Sequence, residues 1–225
     1  MATKGVVDIV FLIDATGSMA HCIDAVKSNI QAFCRDLIND QQSPVRDWRA
    51  RVVGYRDYEA DGKNWLVNNP FVRKYEDLER QFAELRAQGG GDNPEDLLDA
   101  LYLLATTEST EQQYPEDPHK WRDIHDAARV VIIFTDASFH ETLRIPEAEG
   151  ADIEIVQQEC MSNRLILSIF APEEDGFYDL SEIPHASYTA ASGDSLGSIT
   201  KDSDAFRELM KQLAKSVSQS ASQLQ

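Results

Sequence analysis

Three short runs of the chain are apolar almost without interruption: Val6-Val7-Asp8-Ile9-Val10-Phe11-Leu12-Ile13, Val130-Val131-Ile132-Ile133-Phe134-Thr135 and Arg164-Leu165-Ile166-Leu167-Ser168-Ile169-Phe170. They are short for helices, and they lack the polar alternation of a strand with one wet face. Runs of this kind belong to strands covered on both sides, as in a parallel sheet flanked by helices. The segments between them carry the helical period. Met19, Cys22/Ile23, Val26, Ile30, Phe33 and Leu37 recur at three- and four-residue steps, and Ser43-Pro44 closes that connection. Leu78, Phe82 and Leu85 repeat the pattern within Tyr75 to Leu85. Leu97, Leu98, Leu101 and Leu104 do so in a helix expected to open at Asn93-Pro94, with Asn93 as N-cap, Pro94 at the first helical position and Asp96 as a first-turn acid.

Further helices are expected over 147–161 and 202–217. Trp48 to Tyr55 reads as a second strand, and the region 62–73 as a weaker one forming an antiparallel edge hairpin with it. Residues 186–189 read as a short last strand, 108–127 as a polar loop and 171–185 as an acidic loop. The expected fold is α/β: a Rossmann-like, doubly wound, mostly parallel central sheet with one antiparallel edge strand and helices on both faces. One domain is expected over 1–217, followed by a fraying Ser/Gln-rich tail over 218–225.

The formal charge of −18, from 39 acidic against 21 basic side chains, repels phosphate backbones and anionic lipids. Nucleic-acid binding is disfavoured. No apolar run approaches the roughly 20 residues that span a bilayer, so no membrane insertion is expected. Nothing at the N-terminus reads as a secretory signal, and a cytoplasmic protein is expected. Cys22, Cys34 and Cys160 are odd in number and scattered, which fits reduced thiols better than a disulfide framework or a zinc site. Cys22, on the apolar stripe of the first helix, is expected in the core.

The polar residues that matter most stand where strands end. In doubly wound sheets, ligands bind beyond the carboxyl ends of the strands, at the point where strand order reverses. Asp14 closes the first apolar run and Asp136 follows the second, so the fold brings both to one rim. After Asp14 come Thr16 and Ser18, on a turn that opens a helix. A carboxylate and two hydroxyls at this spacing offer hard oxygen donors to a divalent cation. Taken singly, Thr16 and Ser18 read as helix caps and Asp92 as a helix-terminus acid. An ionised Asp14 at the end of an apolar strand, however, needs a partner.

In these features the chain resembles the von Willebrand factor type A family over nearly its whole length. The likeness rests on element order, the Asp14-Ala15-Thr16-Gly17-Ser18 turn, the Gly89-Gly90-Gly91-Asp92 loop before a helix, and the Val-Ile-Ile-Phe-Thr135-Asp136 strand end. The resemblance implies a metal-ion-dependent adhesion site formed by Asp14, Thr16, Ser18, Asp92 and Asp136, holding Mg²⁺, with Mn²⁺ or Ca²⁺ as alternatives. It implies a protein-interaction module whose metal takes an acidic side chain from a protein partner. The sequence departs from the family pattern in three places: Thr16 stands for the usual first Ser, Asp92 for the usual Thr, and Ala137 for the usual Gly. A third carboxylate at Asp92 would hold the ion more firmly and lower its appetite for a partner's acid.

Two other readings compete with this one. The first is a Mg²⁺-dependent hydrolase or phosphatase on a Rossmann-like scaffold, which uses strand-end carboxylates too. It also calls for a second Asp two residues after the first, where Thr16 stands. The second is a metal-free scaffold. Around the rim, His21 and His140 are expected as surface or satisfied histidines, Arg56 and Asp57 as a local ion pair or turn, and Glu95 as a first-turn acid, with an approach to the metal from behind its ligands as the alternative.

Overall fold

The computed structural model describes residues 5–191, except 22, 25, 29, 31–44, 92 and 112–113. Strands β1 (Val6–Asp14), β2 (Asp47–Tyr55), β3 (Leu66–Asn68), β4 (Ala128–Phe134), β5 (Leu165–Pro172) and β6 (Ser187–Ala191) form a single sheet in the order β3-β2-β1-β4-β5-β6. Every neighbouring pair is parallel except β2 with β3. Strand order therefore reverses beside β1: the chain first moves outward to β2 and then returns to β4 on the other side. The loops leaving β1 and β4 diverge there, opening a crevice at the carboxyl edge.

Among the described residues the helices include α1 (Tyr58–Asp61), α2 (Tyr75–Glu84), α3 (Leu97–Thr106), α4 (Ile153–Ser162) and α5 (Asp175–Ser181), and residues 23–24, 26–28 and 30 are helical as well. Alternate residues of each central strand feed two separate cores. Val7, Ile9, Phe11 and Ile13 of β1 pack with Met19, Ile23, Val26 and Ile30 and with Leu78 and Phe82 of α2. Val10 and Leu12 pack with Leu97, Leu98, Leu101 and Leu104 of α3, Val156 and Cys160 of α4, and Phe177 and Leu180 of α5. A strand buried on both faces has no position for a solvated side chain, which explains the unbroken apolar runs.

The face under α3 also carries polar layers at its two ends. Near the strand starts, Asp8 pairs in register with Arg49 and Arg129. Its carboxylate accepts hydrogen bonds from Arg49 Nε and Nη2 (both 2.8 Å), Arg122 Nε (2.7 Å) and the Arg122 backbone N–H (2.8 Å). At the strand ends, Asp14 pairs with Tyr55, and Thr135 follows β4.

Five local expectations are corrected. Helix α3 starts at Leu97 with Asp96, not Asn93, at its N-cap position, and the Asp96 side chain makes no capping bond there; Asn93-Pro94 is a cis peptide ahead of it. The Glu95 N–H donates to Ser138 O (2.9 Å) and His140 N–H donates to Glu95 O (3.1 Å), so pairing with the β4 loop holds this stretch extended. Glu95 is thus not a first-turn acid. The helix expected from 147 begins at Ile153, because Gly150 takes a positive φ and Asp152 caps the N–H groups of Glu154 and Ile155. The acidic stretch 171–185 contains α5, fixed by the burial of Phe177 and Leu180. The weak strand of 62–73 shrinks to three residues, plus an isolated pairing of Val72 with Ala50. Cys22, Cys34, Phe33, Leu37 and the helix expected over 202–217 lie outside the described residues.

Candidate metal centre at the strand ends

The turn after β1 holds its shape by bonding to both neighbouring loops. Ala15 N–H donates to Tyr55 O (2.9 Å), Gln88 N–H to Ala15 O (2.9 Å) and Gly17 N–H to Gly89 O (3.0 Å). The buried Arg56 guanidinium ties the same three segments, donating to the carbonyls of Ala15 (3.1 Å), Asn64 (2.6 Å) and Arg86 (3.0 Å). It is a brace between loops; of the ion pair or turn expected at Arg56 and Asp57, the turn is what forms, with Asp57 Oδ1 accepting from Ala60 N–H (2.6 Å). Gly90 stands at φ +79°, and a methyl group there would lie 2.8 Å from Thr16 Cβ. The glycines thus let the second loop close onto the first.

Within this frame Asp14, Thr16, Ser18 and Asp136 form one hydrogen-bonded chain. Thr16 Oγ1 donates to Asp14 Oδ1 (2.7 Å), the Thr16 and Ser18 hydroxyls stand 2.9 Å apart, and Ser18 Oγ donates to Asp136 Oδ1 (2.9 Å). The Thr16 N–H also reaches Asp14 Oδ1 (2.9 Å), and Thr135 Oγ1 donates to Asp14 Oδ2 (2.9 Å). Of the five residues expected at the metal site, the structure thus brings Asp14, Thr16, Ser18 and Asp136 together. Asp92 lies outside the described residues.

The chain runs from buried to open. Asp14 is fully buried, Thr16 nearly so, and Ser18 exposed. Burial, reinforced by nearby Asp136, pushes the Asp14 carboxyl up to about 6, against the opposing bonds from Thr16 and Thr135. Three short oxygen–oxygen contacts link Asp14 to Asp136, yet the two hydroxyls bring only two hydrogens. With both carboxyls ionised, one contact has no hydrogen in it. Positive charge, as a proton or a cation, completes the arrangement.

Two features of this rim go beyond the sequence reading. The first is Glu95, buried and aimed among the rim acids. Its Oε2 has no hydrogen-bond partner among the described residues, and its carboxyl is pushed up to about 8 by burial and by the carboxyls of Asp14, Asp57, Asp96 and Asp136. The second is a neighbouring group of Asp57, Asp96 and His140, whose ligand atoms lie within 4.8 Å of one another. The Arg144 guanidinium sits among them, 3.2 Å from Asp57 Oδ1 and 3.5 Å from Asp96 Oδ1 and in contact with His140 Nε2. This group already has its cation, and His140 is a satisfied histidine, as expected. Burial pushes Asp96 up to about 7, with Asp99 adding to the shift, and burial and Arg144 push the His140 imidazole down.

An open sheet with helices on both faces and a polar crevice where its order reverses defines a Rossmann-like binding domain. The chain belongs to the von Willebrand factor type A domain family, whose model matches residues 8–212. Domains of this family are in general protein-interaction modules. The chain is 30% identical over 136 residues to the alpha-protein kinase vwkA of Dictyostelium discoideum, covering 60% of this chain and 19% of the kinase. It is 33% identical over 97 residues to a putative ariadne-like RING finger protein of Acanthamoeba polyphaga mimivirus, covering 42% of this chain and 9% of that protein. The chain thus spans under a fifth of the length of these relatives. Among solved structures it matches the pilus adhesin SpaC of Lactobacillus rhamnosus GG, at TM-score 0.60 and 14% identity, over 98% of this chain and 31% of the adhesin. Proximal thread matrix protein 1 of the mussel byssus matches at TM-score 0.58 and 12% identity, over 96% of this chain and 49% of that chain. No helix among the described residues is long and apolar enough to cross a membrane.

Proposed function

We propose that this domain is a metal-dependent protein-interaction module, which holds Mg²⁺ at the strand-end rim and uses it to engage a protein partner. The observation that carries the reading is the Asp14-Thr16-Ser18-Asp136 chain, where two carboxyls face each other through two hydroxyls that cannot fill all three contacts once both carboxyls are ionised. The donors are all hard oxygens, the set that suits Mg²⁺, Mn²⁺ or Ca²⁺. Asp14, Thr16, Ser18 and Asp136 would hold the ion, with Asp92 as a further ligand. The bound ion supplies an electrophilic centre for an oxygen of the partner, an acidic side chain in the first instance.

The competing hydrolase reading would put a second carboxylate where Thr16 stands, and the Thr16 hydroxyl is engaged with Asp14. We therefore read the domain as non-enzymatic. A compartment that keeps thiols reduced, the cytoplasm, suits the free buried Cys160.

Calorimetric titration of Mn²⁺ and Mg²⁺ into protein stripped with EDTA tests the reading. One site is expected. Asp14→Asn is expected to weaken it about 10- to 100-fold. Wild-type protein that takes up neither ion, or an Asp14→Asn variant that binds as tightly as wild type, would exclude the site. Phosphatase turnover that Asp14→Asn abolishes would overturn the non-enzymatic reading.

A further inference from the structure

The start of β4 buries a cation that has no anion of its own. Arg129 is 1% exposed, and burial pushes its guanidinium down to about 10. Asp8, beside it in register, is taken up by Arg49 and Arg122, and among the described residues no carboxylate lies within ion-pair distance of Arg129. Its N–H groups turn to main-chain carbonyls instead. Nε and Nη2 donate to Arg122 O (3.2 and 2.8 Å), and Nη1 donates to Asn163 O (3.4 Å). Its one side-chain hydrogen-bond partner among the described residues is Ser109, whose Oγ accepts from Nη2 at 2.5 Å. Ser109 is itself exposed. Its backbone runs extended beside Trp121, with Trp121 N–H donating to Glu108 O (3.0 Å) and Thr110 N–H to Trp121 O (2.8 Å). It lines an open cavity of about 530 Å³ together with Glu108, Thr110, Glu111, Asp117 and Lys120. The Ser109 hydroxyl thus has solvent on one side and a desolvated guanidinium on the other. A cation in this position is costly to bury until an anion meets it.

We propose that Ser109 is a phosphorylation site and that Arg129 receives the phosphoryl group. A protein kinase presents ATP, and Ser109 Oγ attacks the γ-phosphorus. The bond to the ADP oxygen breaks as the Oγ–P bond forms, and the hydroxyl proton passes to the kinase's catalytic base. The exposed, extended stretch Glu108-Ser109-Thr110-Glu111 offers the hydroxyl for that step. The product carries about −1.5 to −2 charge and three acceptor oxygens, for which the cavity has room. The Arg129 bond, now to a neutral hydroxyl, becomes a charge-assisted one, roughly twice as strong. Lys120, paired with Glu108 on the same cavity, brings a second cation. Glu108, Glu111 and Asp117 oppose the added charge, so the gain depends on Arg129. The phosphoryl group ties the connection between α3 and β4 to the sheet, at the edge opposite the metal rim. The inference does not depend on the metal reading.

The test compares unmodified protein with protein carrying genetically encoded phosphoserine at position 109, alone and combined with Arg129→Gln or Arg129→Lys, all in EDTA. Phosphorus NMR reads the second ionisation of the phosphate, which is expected to fall from the ordinary value of about 6 to about 5 or below. The melting temperature is expected to rise by about 3–8 °C. Exchange of the Thr110 and Trp121 amides is expected to slow at least about tenfold. Arg129→Gln should return the ionisation to about 6 and Arg129→Lys should keep part of the shift, so either variant that folds reads the pairing. In the chain recovered from its source cells with phosphatase inhibitors, mass spectrometry is expected to place a phosphoryl group on Ser109 within the tryptic peptide 87–120. An ordinary ionisation together with a lowered melting temperature in the phosphoserine protein would overturn the pairing with Arg129. A phosphoryl group confined to Thr106, Thr107 or Thr110, or none on this peptide, would overturn the assignment of Ser109.

Discussion

Asp8 and Arg51 are both buried ions on the α3 face of the sheet, and opposite outcomes follow from replacing them. Asp8 accepts four hydrogen bonds from Arg49 and Arg122, and Arg122 Nη2 also donates to Val7 O (2.7 Å). Asp8→Asn leaves two buried guanidinium groups without their shared anion, and a loss of about 3–5 kcal/mol is expected in urea unfolding. Arg51 donates from Nη1 to Asn68 Oδ1 (3.0 Å), but its Nε and Nη2 have no partner, and burial pushes its guanidinium down to about 10. Its cation lies 4.5 Å from the Phe71 ring centre and 5.7 Å from that of Trp121, contacts that a thioether also makes well. Arg51→Met is therefore expected to unfold within about 1 kcal/mol of wild type, or above it. A large loss would show that the two aromatic faces outweigh the desolvation of the ion. The sequence showed Asp8 as the polar exception in an apolar strand, and the parallel register sets Arg49 opposite it. Arg122 lay within a stretch legible only as a polar loop, and nothing in the spacing of residues 8 and 122 brings them together.

At the level of elements, the strands were legible and the second rim loop was only half so. Apolar runs mark β1, β4 and β5 because burial on both faces removes every polar position. The closing acids were legible too, since a doubly wound sheet sends every parallel strand end to one rim. The stretch Asn93-Pro94-Glu95-Asp96 carries the local signature of a helix start, and tertiary pairing with residues 138–140 overrides it. Helix α5 was missed because only Phe177 and Leu180 mark its buried side in an acidic segment. The glycines of the second loop read as a break, yet their purpose is close approach. Gly90→Ala puts a methyl group against Thr16 and Glu95 at a positive φ. An unfolding loss of about 1–3 kcal/mol is expected from the backbone conformation and the contact. Mn²⁺ affinity should fall together with stability, because the methyl group pushes the first loop from the second. Full stability in Gly90→Ala would mean that the two loops are not held this closely.

Across the whole molecule, buried charge is sorted along the strand direction. Arg49, Arg51, Arg122 and Arg129 gather around Asp8 toward the strand starts, whereas Asp14, Asp57, Glu95, Asp96 and Asp99 gather at the strand ends, braced by Arg56 and Arg144. The acidic end is the carboxyl edge, where the loops beside the reversal of strand order leave the sheet, so field and topology favour a cation at the same rim. This sorting has a consequence for pH. Burial pushes Asp14 up to about 6, Asp96 to about 7 and Glu95 to about 8, each with further help from neighbouring acids. An acid whose pKa is higher folded than unfolded binds its proton more tightly in the native state, so unfolding releases protons and stability falls as pH rises. These groups contribute fully below the ordinary carboxyl values of 3.8 and 4.5, and their contribution is lost as pH climbs through the folded values toward about 8. Urea midpoints measured in EDTA are accordingly expected to drop steadily between about pH 5 and pH 8. Saturating Mg²⁺ should flatten that slope, because an ion bound only by the folded state supplies the positive charge that the protons no longer do. Glu95→Gln should flatten the slope in EDTA as well, by removing the group that titrates highest. Midpoints in EDTA that hold level or rise over this range would show that the rim acids are not linked to folding, whether or not the site takes a metal.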